Sequence, residues 1–303
     1  MTITAQAAPV EGRYSNRAHY FTNENGFSFA WPPVPAHQFL AERDLAFDSR
    51  TPTGAIALDM ASSLKTAYPA TTPMLLCRYL RIRAGETLRT AFAASGQICY
   101  VIRGRGRSEC GDDVLLWEAG DVFCFPGGNT TTHEAVDDDC LLFCATNEPL
   151  LAFERLRPPA PGQAAFQTTH WPADEIERQL QQVYARPTTE NTTGASVQLS
   201  TTATLPATAT IPSINVAINT LAAGCDQRPH RHNGVAVTLA IHAEKVHSVI
   251  GGERCDWSEG AAQITPATLL HSHHNRGSRR MRSFVIQDEG LHMYARTPGF
   301  SFD

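Results

Sequence analysis

The stretch Gly224-x5-His230-x-His232 … Gly260-x5-Pro266-x4-His271-x3-Asn275 is framed by glycine and proline and carries closely spaced histidines. Two histidines one residue apart in a β-rich segment share a face of the strand, because side chains alternate with period two. His271 enters from a turn set by Gly260 and Pro266, whose backbone limits suit a strand–turn–strand corner. Neutral imidazole nitrogens from His230, His232 and His271 then converge inside a small barrel. Such a set suits a first-row divalent metal, with positions left open for a substrate and a small gas.

Working outward, the chain has 303 residues, 42% of them hydrophobic, enough for two compact domains with buried cores. Net charge is −5 and no basic run could track phosphates, so nucleic acid is not an expected partner. The first thirty residues mix Glu11, Arg13, Arg17 and Glu24 with polar residues, and no long apolar run follows. Neither a signal peptide nor a membrane span is expected. The eight cysteines form no CxxC pair, and Cys140 and Cys144 sit in an apolar run, which reads as reduced, buried thiols in a cytoplasmic protein.

In chain order, residues 1–70 contain Pro32-Pro33-Val34-Pro35 and few periodic runs, so an extended arm with one short helix over Pro35 to Arg43 is expected. Residues 71–158 give short apolar runs punctuated by glycine: Met74 to Ile82, Ile98 to Ile102, Val114 to Trp117, Val122 to Phe125 and Leu141 to Ala145. That spacing predicts a β-sandwich or barrel. Residues 159–205 break the pattern. There Ile176, Leu180 and Val183 recur at helical spacing between Pro172 and Pro187, which predicts one amphipathic helix over Asp174 to Ala185, followed by a Thr-rich stretch. Strands resume in residues 206–303.

The two β halves repeat each other. Gly85-x5-Ala91-Phe92-Ala93 lies over Gly224-x5-His230-Arg231-His232, and Trp117-x2-Gly120-x5-Pro126 lies over Trp257-x2-Gly260-x5-Pro266. Where the second half has His230, His232 and His271, the first has Ala91, Ala93 and Thr131. Methyl groups cannot bind a metal, so the first half keeps the framework without the site and the second carries the chemistry.

These paired motifs resemble those of the cupin superfamily, and two in one chain resemble a bicupin: all-β, with two jelly-roll barrels, an N-terminal arm and a helical linker. Thr146-Asn-Glu-Pro-Leu-Leu151, together with His230-Arg-His-Asn233 and His271-Ser-His-His-Asn275, resembles the gentisate and salicylate 1,2-dioxygenase family, including enzymes for substituted salicylates such as 5-nitrosalicylate. The resemblance runs from about Pro73 onward. It implies Fe(II), dioxygen and a small aromatic acid substrate of the ortho-hydroxybenzoate class, whose ring opens between the carboxyl-bearing and hydroxyl-bearing carbons. It also implies a homodimer or homotetramer. Two departures stand out. Many cupins place a carboxylate ligand shortly after the second histidine, where this chain has Ala236. Gentisate dioxygenases usually carry iron in the first barrel, with an inward arginine six residues past the second histidine; the corresponding residue here is Thr238.

Around the three histidines, Arg228 shares strand parity with His230 and is the candidate for a forked ion pair to the substrate carboxylate. Gln227 and Thr238 are candidate pocket groups, and Trp257 is either a substrate platform or a core plug. His273 shares parity with His271 and is the candidate proton relay. Imidazole-only sites accept several metals, so a non-oxidative isomerase or lyase is the alternative enzyme reading, and a non-catalytic ligand-binding bicupin the alternative outside catalysis.

Overall fold

The computed structural model describes residues 12, 14–24, 26, 31–186 and 194–303. Most of the Thr-rich stretch, 187–193, lies outside the described residues. Two compact units are present, Met1–Pro32 and Pro33–Asp303. The described part of the first holds a single 3-10 turn, Ser15–Arg17, and exposes Tyr20 and Phe21.

The second unit contains two β-barrels, each made of a large sheet and a smaller one. In the first barrel the six-stranded sheet runs in the order Thr169–Trp171, Val122–Pro126, Gly96–Arg103, Cys140–Thr146, Leu76–Ile82, Gly54–Ala57. Its smaller sheet has Thr87–Thr90, Thr131–Ala135, Arg105–Cys110 and Asp113–Glu118. The second barrel repeats the plan, with a six-stranded sheet ordered His37–Gln38, Ala262–Thr265, Ala236–His242, Met281–Gln287, Asn215–Leu221, Ala195–Leu199. The facing sheet is ordered Glu253–Asp256, Val246–Ile250, His271–Asn275, His230–Arg231, Ser301–Phe302. Four of the five apolar runs singled out in the first half lie wholly on strands, and the fifth, Met74 to Ile82, does so from Leu76.

Residues 33–70, expected to belong to an arm, are part of this unit. His37 and Gln38 pair with Ile264 and Gln263 of the second barrel, whereas Gly54–Ala57 pairs with Leu76–Ile82 of the first. The short helix between them is Leu40–Phe47, later than the proline-rich segment suggested, because the chain at His37 is drawn into a sheet first. The linker helix is Ala173–Tyr184. It starts just after Pro172, buries Ile176 and Leu180, and has its first free N–H, on Ala173, bound by Asp121 at 2.8 Å.

Strand alternation then divides the apolar residues between two kinds of core. One face of each large sheet packs against the other barrel: Tyr79, Tyr100 and Phe143 of the first share a cluster with Ile218, Val237 and Phe284 of the second. Tyr100 stacks on Phe284 at 5.1 Å, and the Tyr79 hydroxyl donates to the Gly260 carbonyl at 2.6 Å. The opposite faces line the barrel interiors. The first interior is filled by Leu80, Cys99, Phe123, Phe125 and Leu142, while the apolar cluster of the second is small and centred on Trp257. All eight cysteines are unpaired and six are buried. No helix among the described residues is long and apolar enough to cross a membrane.

Reciprocal side-chain ties join the barrels. Asn147 Nδ2 donates to Ser213 Oγ at 3.0 Å, and Thr72 Oγ1 donates to Asp288 Oδ2 at 3.3 Å. On the other side, Asn147 and Asp288 each accept a backbone N–H within their own barrel, from Ser95 at 2.9 Å and Val235 at 2.7 Å.

Candidate metal centre

His230 and His271 sit on adjacent antiparallel strands and are directly opposite each other in the ladder. His232 follows just past the first of these strands, where the chain turns toward Gly234. Each ring is fixed through Nδ1, whose hydrogen is donated to a main-chain carbonyl: Arg228 at 3.0 Å for His230, Gly234 at 2.7 Å for His232 and Leu269 at 2.9 Å for His271. This pins the tautomer, leaving each Nε2 with its lone pair available to a ligand. One ligand atom from each residue lies within 4.8 Å of the others, and all three side chains are buried.

Burial and mutual repulsion keep the rings neutral. Desolvation holds His230 and His232 below the ordinary histidine range, and desolvation together with the charges of His230 and His232 would bring His271 to about 3. Neutral imidazole is the form that ligates, so at pH 7 no proton has to leave before a metal enters. The donor set fits a first-row divalent cation held on one side only.

The imidazoles open into a cavity of ≈ 160 Å³. Its floor is the inward face of the large sheet, where Asn215, Ala217, Asn219, Thr238 and Gln287 are small or carry carboxamides. Glu289, at the entry to the short helix Gly290–Tyr294, also lines it, with Oε1 3.8 Å from His232 Nδ1 and accepting the Gly234 N–H at 3.2 Å. Asn215 Oδ1, Gln227 Oε1 and Thr265 Oγ1 are buried polar atoms in this wall with no hydrogen-bond partner among the described residues. Unpaired buried acceptors are costly, so they mark where a polar ligand or water belongs.

The structure sorts the remaining sequence candidates. Gln227, Thr238 and His273 line the cavity. Arg228 does not: it is exposed, donates to the Asp303 carbonyl at 3.0 Å and covers the Phe302 ring at 4.5 Å. Strand parity failed as a guide here because Arg228 precedes the strand, which covers only His230–Arg231. Trp257 is a core plug, packed with Leu221, Val246 and Met281. Its indole N–H donates to Ser248 Oγ at 2.7 Å, and Ser248 lies 2.8 Å from His273 Nδ1. Gln263 Nε2 also donates to Ser248 Oγ at 3.2 Å, so the serine has accepted two hydrogens and directs its own at His273 Nδ1. His273 is therefore the opposite tautomer to the ligands, with its hydrogen on Nε2. Desolvation and then the neighbouring imidazoles hold it neutral, well below the ordinary histidine range. The same trio, Trp117, Ser108 and His133, recurs in the first barrel at the same 140-residue offset.

No family model matches the chain. Among solved structures, salicylate 1,2-dioxygenase from Pseudaminobacter salicylatoxidans superposes with a TM-score of 0.76 at 14% identity, covering 91% of each chain. An adduct of that enzyme with gentisate gives 0.75 at 15% identity, covering 93% of this chain and 89% of the other. By fold, the chain is a bicupin. A cupin 2 conserved barrel domain protein from Leptotrichia buccalis matches this bicupin less closely, with a TM-score of 0.52 at 12% identity over 84% of this chain and 97% of the other. Among curated proteins, 5-aminosalicylate 1,2-dioxygenase of a Comamonas species is 33% identical over 81 residues, which is 27% of the bicupin and only 22% of that relative's length. The likeness read from the glycine-framed motifs thus recurs in three dimensions across most of the chain.

Glu289, Phe300 and the carboxamide floor were not singled out from the sequence. Glu289 had one legible signal, its repeat partner Glu148 in the Thr146–Leu151 motif. Phe300 had none, because it reaches the site from a terminal segment with no counterpart in the first half.

Proposed function

We propose that this bicupin is an Fe(II)-dependent 1,2-dioxygenase that opens the ring of a salicylate- or gentisate-type ortho-hydroxybenzoate between the carboxyl-bearing and hydroxyl-bearing carbons. The observation that carries the proposal is the trio of Nδ1-anchored imidazoles, with their free nitrogens turned into a cavity, in a fold shared with salicylate 1,2-dioxygenases. His230, His232 and His271 would hold the ion. When bound, Fe(II) supplies the electron-transfer capacity and Lewis acidity that let dioxygen react with an ortho-hydroxybenzoate.

The chain's own residues do the rest. His273 presents an Nε2–H rather than a lone pair, so its task is to donate a hydrogen bond to an anionic substrate oxygen. Ser248 and Trp257 hold that ring in place through Nδ1. No arginine or lysine is among the described residues lining the cavity, so the substrate carboxylate meets His273 and side-chain amides where the related pattern has a guanidinium. Burial of the centre excludes bulk water and keeps the ligands unprotonated. The reading includes a homo-oligomer in the cytoplasm, in keeping with the resemblance and with eight unpaired cysteines.

The test is anaerobic reconstitution with ferrous iron, followed by oxygen uptake with salicylate, gentisate and amino-, nitro- and halo-salicylates. Uptake of one dioxygen per substrate consumed, with loss of the aromatic absorbance, is expected. If none of the panel consumes oxygen, the proposal is wrong, and turnover without oxygen would favour isomerase or lyase chemistry.

A further inference from the structure

The residues after Glu289 form a strap across the mouth of the centre. Ser301 and Phe302 pair with Arg231 and His230, so the strap is hydrogen-bonded to the strand that carries the first metal ligand. Further ties fix it: Asn233 Nδ2 donates to the Thr297 carbonyl at 2.9 Å, the Asp303 N–H donates to the Pro229 carbonyl at 3.2 Å, and Arg228 spans Asp303 and the Phe302 ring. A Cβ at Gly299 would lie 2.1 Å from Asn233 Oδ1, so a larger residue there would push aside the side chain that ties the strap. Phe302 in turn meets Phe300 edge-on at 5.1 Å.

Phe300 is the one carbocyclic aromatic among the described residues lining the cavity. Its ring stands 5.2 Å from that of His230, tilted by 31°, yet it remains 51% exposed. An apolar ring left half uncovered at the rim of a polar cavity is a surface for something flat and apolar to cover. An ortho-hydroxybenzoate that turns its two oxygen substituents toward the imidazoles has to project its ring outward to this rim.

We infer that Phe300 is the platform on which the substrate ring is packed, and that the strap anchored by Arg228 sets its position, so that Phe300 selects aromatic over saturated hydroxy acids. This rests on the dioxygenase reading for the orientation of the substrate, but it concerns binding and can be read without turnover. Arg228 is a positioning residue in this scheme and never touches substrate.

The experiment titrates salicylate and its saturated counterpart, 2-hydroxycyclohexanecarboxylate, into the Fe(II)-loaded protein under anaerobic conditions, for wild type, Phe300→Ala, Phe300→Tyr and Arg228→Ala. Wild type should bind salicylate at least roughly tenfold more tightly than the saturated acid. Phe300→Ala should remove most of that preference with iron content unchanged, Phe300→Tyr should keep it, and Arg228→Ala should weaken it part-way. In oxygen uptake, Phe300→Ala should raise KM roughly tenfold with kcat changed by less than about threefold. An unchanged preference in Phe300→Ala would overturn the inference, as would loss of iron in that variant, which would make Phe300 a support for His230 instead. Salicylate binding without oxygen uptake in the wild type would sink the dioxygenase reading while leaving the platform to stand or fall on the titration.

Discussion

The two barrel interiors occupy matching places in the ladder and are filled in opposite ways. Thr238 sits opposite Gln263 and Val285; its counterpart Cys99 sits opposite Phe123 and Cys144. Where the second barrel has Ala217 and Glu289 at the edge of open space, the first has Arg78 and Glu148 joined in an ion pair, with the Arg78 guanidinium also over Phe92 at 4.3 Å. Thr265 corresponds to Phe125, and Asn219 to Leu80. The difference teaches that lacking the three histidines is only part of what separates the first interior from the second. Its cavity is occupied by larger side chains and a buried cation, so restoring the ligands alone would not restore a site.

The sharpest way to break this comparison is to exchange ligands. His271→Ala should lose the metal and fall below about 1% of wild-type oxygen uptake, since weakening only the groups that orient such ligands already costs roughly 10–100-fold. Thr131 pairs with Thr90 as His271 pairs with His230, so Thr90→His, Phe92→His and Thr131→His together copy the ligand set; they should gain no second equivalent of iron by metal analysis, and a second equivalent would refute the account of a filled interior. Next in size is Ala217→Arg, which copies the plug of the first barrel into the second. One iron per chain should be retained while KM for salicylate rises at least roughly tenfold, as expected for a group that takes up substrate space.

A smaller effect concerns the paired ties. Asp288 stands where the first barrel has Asn147, and burial pushes its carboxyl up to about 7 even though Val235 and Thr72 donate to it. A folded-state pKa raised above the usual carboxylate range favours folding while the group is protonated. That contribution is complete below about pH 4 and is lost as pH rises through about 7. Asp288→Asn keeps the Val235 bond on Oδ1 and removes the charge while giving up the Thr72 bond, so its effect on Tm should be more favourable at pH 8 than at pH 5, by roughly 2–4 °C for each kcal/mol of difference. An equal shift at both values would show that the carboxyl does not titrate in this range. The least effect is expected from the serines. Ser108→Ala and Ser248→Ala each strand a tryptophan N–H and should cost about 1–3 kcal/mol in denaturant unfolding. Only Ser248→Ala should also lower oxygen uptake, by several-fold, because His273 lines the cavity beside the three imidazoles.

What was legible in the sequence was whatever repeats or is framed. The glycine and proline corners gave both barrels and the His230, His232 and His271 set, but the overlay slipped by one residue at two ligand positions: Thr131 pairs with Thr90, so Thr90 and Phe92 stand where His230 and His232 do, and Ala91 and Ala93 are exposed. The linker helix was visible from Ile176, Leu180 and the prolines on either side. What escaped was whatever depends on packing at long range. Parity suggested Arg228 as an inward residue, but the strand begins only at His230, and the side chain is taken up by Asp303 and Phe302. The arm was read as lacking a core because its few apolar residues are buried against later strands: Phe39 bonds to Ala262 of the other half and Leu58 to Cys77, both within the core shared by the barrels. The framework role of His273 could have been seen, because Trp, Ser and His recur together in both halves.

The shared core between the large sheets bears on how small this protein could become. Val237, Ile264 and Phe284 of the half that carries the three imidazoles are fully shielded from solvent, and the first barrel does the shielding. A version trimmed to residues 195–303 would meet water with a broad oily wall and with strand Ala262–Thr265 stripped of its His37–Gln38 neighbour. It should precipitate or self-associate before it could act. The barrel that lacks the three imidazoles thereby serves as the dry backing on which the other is mounted.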